Sequence, residues 1–248
     1  MSRYWLNTKK DEAFAVKSAA INELYQRAPE LADQGERVVS NDEMTGVQAR
    51  QHKVAEKPVK PGKPKLIEYE YIRHGTRAFI VSFNVAQGGI LLATSGPTRN
   101  EADYLAHITR LVDENPDVKR WHIVADNLNT HCSESLVRFV AAESDLNIEL
   151  GVKGVCGILQ SMESRVEFLN DPSHRIVFYY TPKHASWLNQ IEIWFSIPGA
   201  LRARKLLRKG SFVSLDDLCN KVFRFIDYYN STMAKPFKWT YSGKALSA

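Results

Sequence analysis

Apolar positions recur along this chain with two periods, one helical and one of strands. Over residues 11–28, Phe14, Ile21, Leu24 and Tyr25 fall on one face of a helix, and Pro29 is expected to stop it. Val38 and Val39 run into the acidic pair Asp42-Glu43, which predicts a short strand whose end carries those acids. Residues 66–72 and 78–85 read as two strands joined at His74-Gly75. Gln87-Gly88-Gly89 then turns the chain into residues 90–93, completing an antiparallel meander. Thr98 and Glu101 have capping-box spacing ahead of a helix that turns Leu105, Ile108 and Val112 inward. Residues 121–125 form a short apolar run ending at Asp126-Asn127. A helix follows over residues 133–142, packing through Leu136, Val137 and Val140.

The second half is less regular. Gly151, Gly154 and Gly157 mark residues 145–175 as largely loop, with a short helix over residues 161–169. Residues 176–180 read as a buried strand that Thr181-Pro182 ends, since proline cannot donate to a ladder. From Ser186 the spacing becomes helical, with Trp187, Leu188, Ile191, Trp194 and Phe195 on one broad face and Glu192 as the single formal charge among them. Pro198-Gly199 should kink or end that helix. Ser214 and Asp217 cap a last helix that buries Leu218, Val222, Phe225 and Tyr229. The tail, residues 235–241, is aromatic and basic and reads either as a cover for the core or as a surface for a partner. Strands alternating with helices predict an α/β domain over residues 37–248, with residues 1–36 as a helical linker or appendage.

Composition narrows this only slightly. A chain of 248 residues can bury a full core. Its 33 basic and 28 acidic residues give +5, a mild excess that permits a nucleic-acid partner. That excess is concentrated. Lys57, Lys60 and Lys63 sit in a Pro-rich stretch that reads as a solvated loop and equally as an arm tracking phosphates. Arg202, Arg204, Lys205, Arg208 and Lys209 follow one another with no acid between them, as a phosphate-binding segment or a solvated helix face. Cys132, Cys156 and Cys219 have neither zinc nor disulfide spacing, which suits a reducing, cytoplasmic setting. No apolar run is long enough to span a membrane, and the first residues are too polar for a signal peptide.

The candidate chemistry rests on three acids. Asp42 and Asp126 each follow a strand-like run, and Glu192 sits in an aromatic helix where a carboxylate needs a cation, a proton or a metal beside it. Two aspartates and a glutamate so placed can share two divalent cations, Mg2+ or Mn2+, and so cleave a phosphodiester in line.

Asp42-Glu-Met-Thr-Gly-Val-Gln, Asp126-Asn-Leu-Asn-Thr-His and Ser186-Trp-Leu-Asn-Gln-Ile-Glu-Ile-Trp-Phe resemble the three catalytic motifs of DDE transposases. With Gly96-Pro-Thr-Arg, Tyr180-Thr-Pro-Lys-His and Arg208-Lys-Gly-Ser-Phe, the chain is similar to the bacterial insertion-sequence branch of the mariner superfamily, from about residue 3 onward. The resemblance implies a ribonuclease-H-like fold, a mixed five-stranded sheet with helices on both faces. It places Asp42 on the central strand, Asp126 at the end of the fourth and Glu192 on the helix after the fifth. It implies magnesium-dependent cleavage at transposon ends, transfer to target DNA, and a homodimer on DNA. Asn127, His184 and Asn189 become candidates for orienting the three acids, or for plain structural bonds. Trp187 becomes a candidate for stacking on a displaced base, although core packing is its expected role. In many relatives the second and third acids are closer together, a spacing that falls near Glu163. The tryptophan-flanked Glu192, 66 residues beyond Asp126, fits the motif better. Full-length relatives carry a preceding helix-turn-helix region, so the chain is expected to be N-terminally truncated. A folded remnant that binds DNA without cutting it, and another ribonuclease-H-like nuclease such as a junction resolvase, are the alternatives.

Overall fold

The computed structural model describes residues 13–54, 57–64, 66, 68–196 and 210–241. In chain order the elements are α1 (Phe14–Asp33), β1 (Glu36–His52), β2 (Tyr71–Asn84), β3 (Gly89–Gly96), α2 (Glu101–Asp113), β4 (Arg120–Ala125), α3 (Glu134–Glu143), α4 (Met162–Leu169), β5 (Ile176–Tyr180), α5 (Gln190–Ser196) and α6 (Leu215–Thr232). Short 3-10 turns at Asn129–Cys132 and Ser186–Leu188 precede α3 and α5. The five strands form one mixed sheet in the order β3-β2-β1-β4-β5. The meander β1-β2-β3 is antiparallel, whereas β4 joins β1 and β5 joins β4 in parallel.

Alternation along the strands sends side chains to two separate cores. Val39, Ile80, Trp121, Ile123 and Phe178 face α2, α3 and α4 through Tyr104, Ile108, Leu136, Val137 and Leu169. Val38, Val81, Phe83 and Val124 face the other way, onto Ile21, Leu24 and Tyr25 of α1, Ile191 and Trp194 of α5, and Leu218, Val222 and Ile226 of α6. Both faces are thus covered by helices. The α1 helix shares the second core, and its Tyr25 hydroxyl, buried with the ring, donates to the Leu188 carbonyl at 2.9 Å.

Five local expectations are corrected. Helix α1 runs through Pro29 to Asp33, because Ala28 and Leu31 on either side of the proline are buried against the sheet. Strand β1 does not end at Asp42-Glu43. A register shift between Met44 and Val47, with Gly46 at φ +64°, absorbs the irregularity, and the strand continues to His52 beside β2. Likewise β2 runs unbroken through Gly75, which takes φ +112°, while residues 68–70 lie outside it. The box that opens α2 joins Asn100 and Asp103 instead of Thr98 and Glu101. On α6, Ile226 takes the fully buried position expected of Phe225.

The tail lies over the second core: the Phe237 ring stacks on Phe83 at 4.9 Å and Trp239 Nε1 donates to Asn22 Oδ1 at 2.7 Å. Gly88 is the point of closest approach. It holds φ +72°, and a Cβ there would sit 1.9 Å from the Lys235 carbonyl oxygen. Gly88→Ala should therefore cost at least ~1–3 kcal/mol, combining left-handed strain with displacement of the tail. Urea denaturation of the two proteins checks this, and equal midpoints would contradict it.

Candidate active site

The parallel ladder between β1 and β4 runs from Glu36–Arg120 to Ser40–Val124. Continuing that register two residues brings Asp42 level with Asp126. Asp42 lies within β1, but at the point where β4 stops covering it. Alternation sends Asp42 toward the α1/α5 face together with Ser40, whereas Glu43 points to the α2/α3 face.

Ser40 and Asn41 hold the third acid in place. The Ser40 hydroxyl donates to Asn189 Oδ1 and accepts from Ile191 N at 2.9 Å, while Asn189 Nδ2 donates to the Asn41 carbonyl at 2.8 Å. Asn189 is fully buried, and Glu192 N donates to its carbonyl at 3.0 Å. The first turn of α5 is thereby fastened to the strand that carries Asp42, two residues before it. Glu192 consequently comes within hydrogen-bonding reach of the Asp42 carboxyl.

Burial and the neighbouring charges of Asp126, Glu192 and Glu43 push Asp42 up to about 7, although Glu43 N donates to its Oδ1 at 2.7 Å. Burial, and then the charge of Asp126, also raises Glu192. Asp126 behaves oppositely. Burial opposes its ionisation, but the hydrogen bond and charge of His131 carry it below the ordinary aspartate range. His131 Nδ1 lies 2.7 Å from Asp126 Oδ1, and its Nε2 lies 2.9 Å from Glu43 Oε1. Burial works against the imidazolium, yet these two carboxylates lift it to about 9. Arg99 approaches the other Glu43 oxygen at 3.9 Å.

The remaining candidates are distributed as follows. Asn127 Nδ2 donates to the Thr181 carbonyl, tying the chain after β4 to the chain after β5. His184, at φ +60°, lines an open cleft of about 280 Å³ with Asp126, Asn127, Lys183 and Ser186. Asn189 makes the structural bonds just described. Trp187 is not a core residue: it is 41% exposed and meets Tyr241 edge-on at 4.7 Å, because the turn at Ser186–Leu188 breaks the helical face before α5 begins. Lys57, Lys60 and Lys63 are exposed in an irregular hairpin held by Lys57–Leu66 and Lys60–Lys63 bridges. Arg202, Arg204, Lys205, Arg208 and Lys209, and the Pro198-Gly199 kink, lie outside the described residues. Glu163 is exposed in the first turn of α4, where Ser161 bonds it.

Among the described residues, no three or more His, Cys, Asp or Glu side chains converge closely enough to hold a metal ion as they stand. The donors nonetheless suit a hard divalent cation. All three are carboxylates, and two of them are pushed toward protonation at the place where a cation would relieve their repulsion. Sequence reasoning passed over His131, Glu43 and Arg99 as parts of this site. His131 stands five residues after Asp126, but only the 3-10 turn at Asn129–Cys132 folds it back.

Residues 37–218 match the family model described as DDE superfamily endonuclease. The chain belongs to that family. Its fold is similar to that of the Mos1 mariner paired-end complex with Mn, at 16% identity and TM-score 0.51, covering 96% of this chain and 61% of that one. The Mos1 paired-end complex with Mg gives 16% identity and TM-score 0.52 over 92% and 58%, and the Mos1 strand transfer complex 15% and 0.51 over 92% and 57%. At such identities the likeness speaks for the fold, which is the ribonuclease-H-like one. This DDE chain spans about 61% of the length of the Mos1 paired-end chain. No curated protein matches it. Among its described residues, no helix is long and apolar enough to cross a membrane.

The raised groups make stability depend on pH. Between the ordinary aspartate value near 4 and about 7, folded Asp42 holds a proton that the unfolded chain releases, so stability falls as pH rises. His131 adds a fall of the same sign between about 6.5 and about 9. The parent should therefore lose stability relative to Asp42→Asn from pH 5 to pH 8, and Asp42→Asn should be the more stable protein at pH 8 by about 1 kcal/mol or more. Urea titrations with a chelator present, at both pH values, check this; a parent more stable than Asp42→Asn at pH 8 would contradict it.

Proposed function

We propose that this chain is the catalytic domain of an insertion-sequence transposase of the bacterial mariner-like branch, covering residues 37–248 and cleaving and joining DNA phosphodiesters with a DDE triad. The observation that carries this reading is the meeting of Asp42 and Glu192, with Asp126 level with Asp42 across the β1–β4 ladder, in a chain of the DDE endonuclease family.

Asp42, Asp126 and Glu192 would hold Mg2+ or Mn2+, as two ions. Bound there, the ions lower the pKa of a water or a terminal 3′-hydroxyl and stabilise the departing oxygen. The chain's own residues do the rest. Asp126 stays ionised beside His131 and offers a permanent anion. Asp42 and Glu192, both raised by burial and by the charge of neighbouring acids, would give up their protons more readily once positive charge arrives. Asn127 and Asn189 fix the loops that carry the second and third acids. The cleft beside Asp126, with Lys183 and His184 on its wall, would take the sugar-phosphate chain.

Lys57, Lys60 and Lys63, with Arg202, Arg204, Lys205, Arg208 and Lys209, would meet phosphates beyond the scissile one. The exposed Trp187 ring is free of the core and suited to stacking on an unpaired base. Transposon ends and target DNA would be the substrates, and a homodimer the working form.

The test is nicking of supercoiled plasmid by the purified chain in Mn2+. The parent should nick. Asp126→Ala and Glu192→Gln should each lose more than about a hundredfold, beyond the usual effect of a residue outside the ligand set. Nicking that survives either substitution would overturn the reading.

A further inference from the structure

The acidic pair on β1 is divided between the two faces of the sheet, and only Asp42 is used by the proposed chemistry. Glu43 is buried on the opposite side, its side chain 1% exposed. The His131 ring, itself fully buried, fills the space between Glu43 and Asp126. Nε2 faces Glu43 Oε1 at 2.9 Å, and Nδ1 faces Asp126 Oδ1 at 2.7 Å and the Asp126 carbonyl at 3.2 Å. Both ring nitrogens thus meet acceptors, so the ring serves as a two-ended donor.

The ring has little freedom to turn. The Tyr104 ring packs on it at 4.2 Å between centroids, and Tyr180 Oη donates to the His131 carbonyl at 2.7 Å. The turn that carries it is held from beneath by Arg165 of α4. This buried guanidinium donates to the Cys132 carbonyl at 2.7 Å and to the Leu159 carbonyl at 3.3 Å. The segment after α3 therefore contributes a prop for this turn.

Resting on the proposed function, we infer that His131 is a positioning residue: anchored on Glu43, it fixes the Asp126 carboxylate for a divalent cation. His131 and the Leu128 amide, at 3.1 Å, both hold Oδ1 of Asp126, which leaves Oδ2 as the oxygen for the cation. Asp126 follows the last residue of β4, so the strand itself does not fix its side chain. Glu43 supplies the anchor because β1 is the central strand. Carboxylates that ligate a metal are themselves held by hydrogen bonds, and removing such an outer partner costs about 10–100-fold in metal affinity.

The experiment is calorimetric titration of the full chain with MnCl2, for the parent, His131→Gln, Glu43→Gln and the double variant, each with its urea midpoint. The expected result is Mn2+ binding weakened about 10–100-fold by His131→Gln. Glu43→Gln, which keeps the shape and an acceptor, should weaken it less. In the double variant Glu43→Gln should add nothing, because its effect passes through His131. The concentration of Mn2+ giving half-maximal nicking should rise in step, with the rate at saturating Mn2+ largely restored. A lowered urea midpoint with unchanged Mn2+ affinity would show a purely structural ring and overturn the inference while leaving the proposed function intact. A parent that binds no Mn2+ would overturn both. If His131→Gln fails to fold, Glu43→Gln decides: unchanged Mn2+ affinity there overturns the inference.

Discussion

Strands β1 and β4 lie side by side in parallel, and their register carries Asp42 and Asp126 to equivalent positions two residues beyond the last ladder pair. A slip of one residue would turn Asp42 to the opposite face and bring Glu43 in its place. The register is protected by burial on both sides: Val38 and Val124 belong to one core, Val39 and Ile123 to the other. The third acid depends on the same strand. Ser40, one strand repeat before Asp42, receives the first turn of α5 through Asn189 and Ile191.

Gathering carboxylates in a half-buried place is unfavourable, and the site answers this in two ways. On the α5 side, Asp42 and Glu192 move toward protonation and come within hydrogen-bonding reach of each other. On the α2/α3 side the compensation is built in, through His131 between Asp126 and Glu43 and through Arg99 near Glu43. One face keeps its carboxylates together by protonation; the other sets cationic side chains beside them. That asymmetry accounts for the opposite shifts of Asp42 and Asp126, although the register makes them equivalent.

Much of this was legible in the sequence. Apolar runs over residues 121–125 and 176–180, and helical spacing around Leu136 and Leu218, produced the elements that the sheet and its two helical layers are made of. The failures share a cause. Asp42-Glu43 was read as a strand end and His74-Gly75 as a joint between two strands, whereas Gly46 and Gly75 each sit in a strand irregularity that only pairing with the neighbouring strand makes possible. Pro29 did not end α1 because tertiary burial outweighs local propensity. Trp187 looked like a core residue because a helical period was extended back through a 3-10 turn. His131 and Arg165 were illegible for a different reason. Their roles arise from side-chain bonds between segments far apart in sequence, which no local pattern encodes.

The central proposal is that Asp42, Asp126 and Glu192 together hold divalent cations. Replacing the cation with Fe2+ and adding ascorbate and peroxide generates hydroxyl radicals at the site, which cut the nearby backbone. The account predicts cuts clustered around residues 42, 126 and 192, suppressed by excess Mg2+. Cuts around Glu163, or cuts that Mg2+ leaves unchanged, would contradict it.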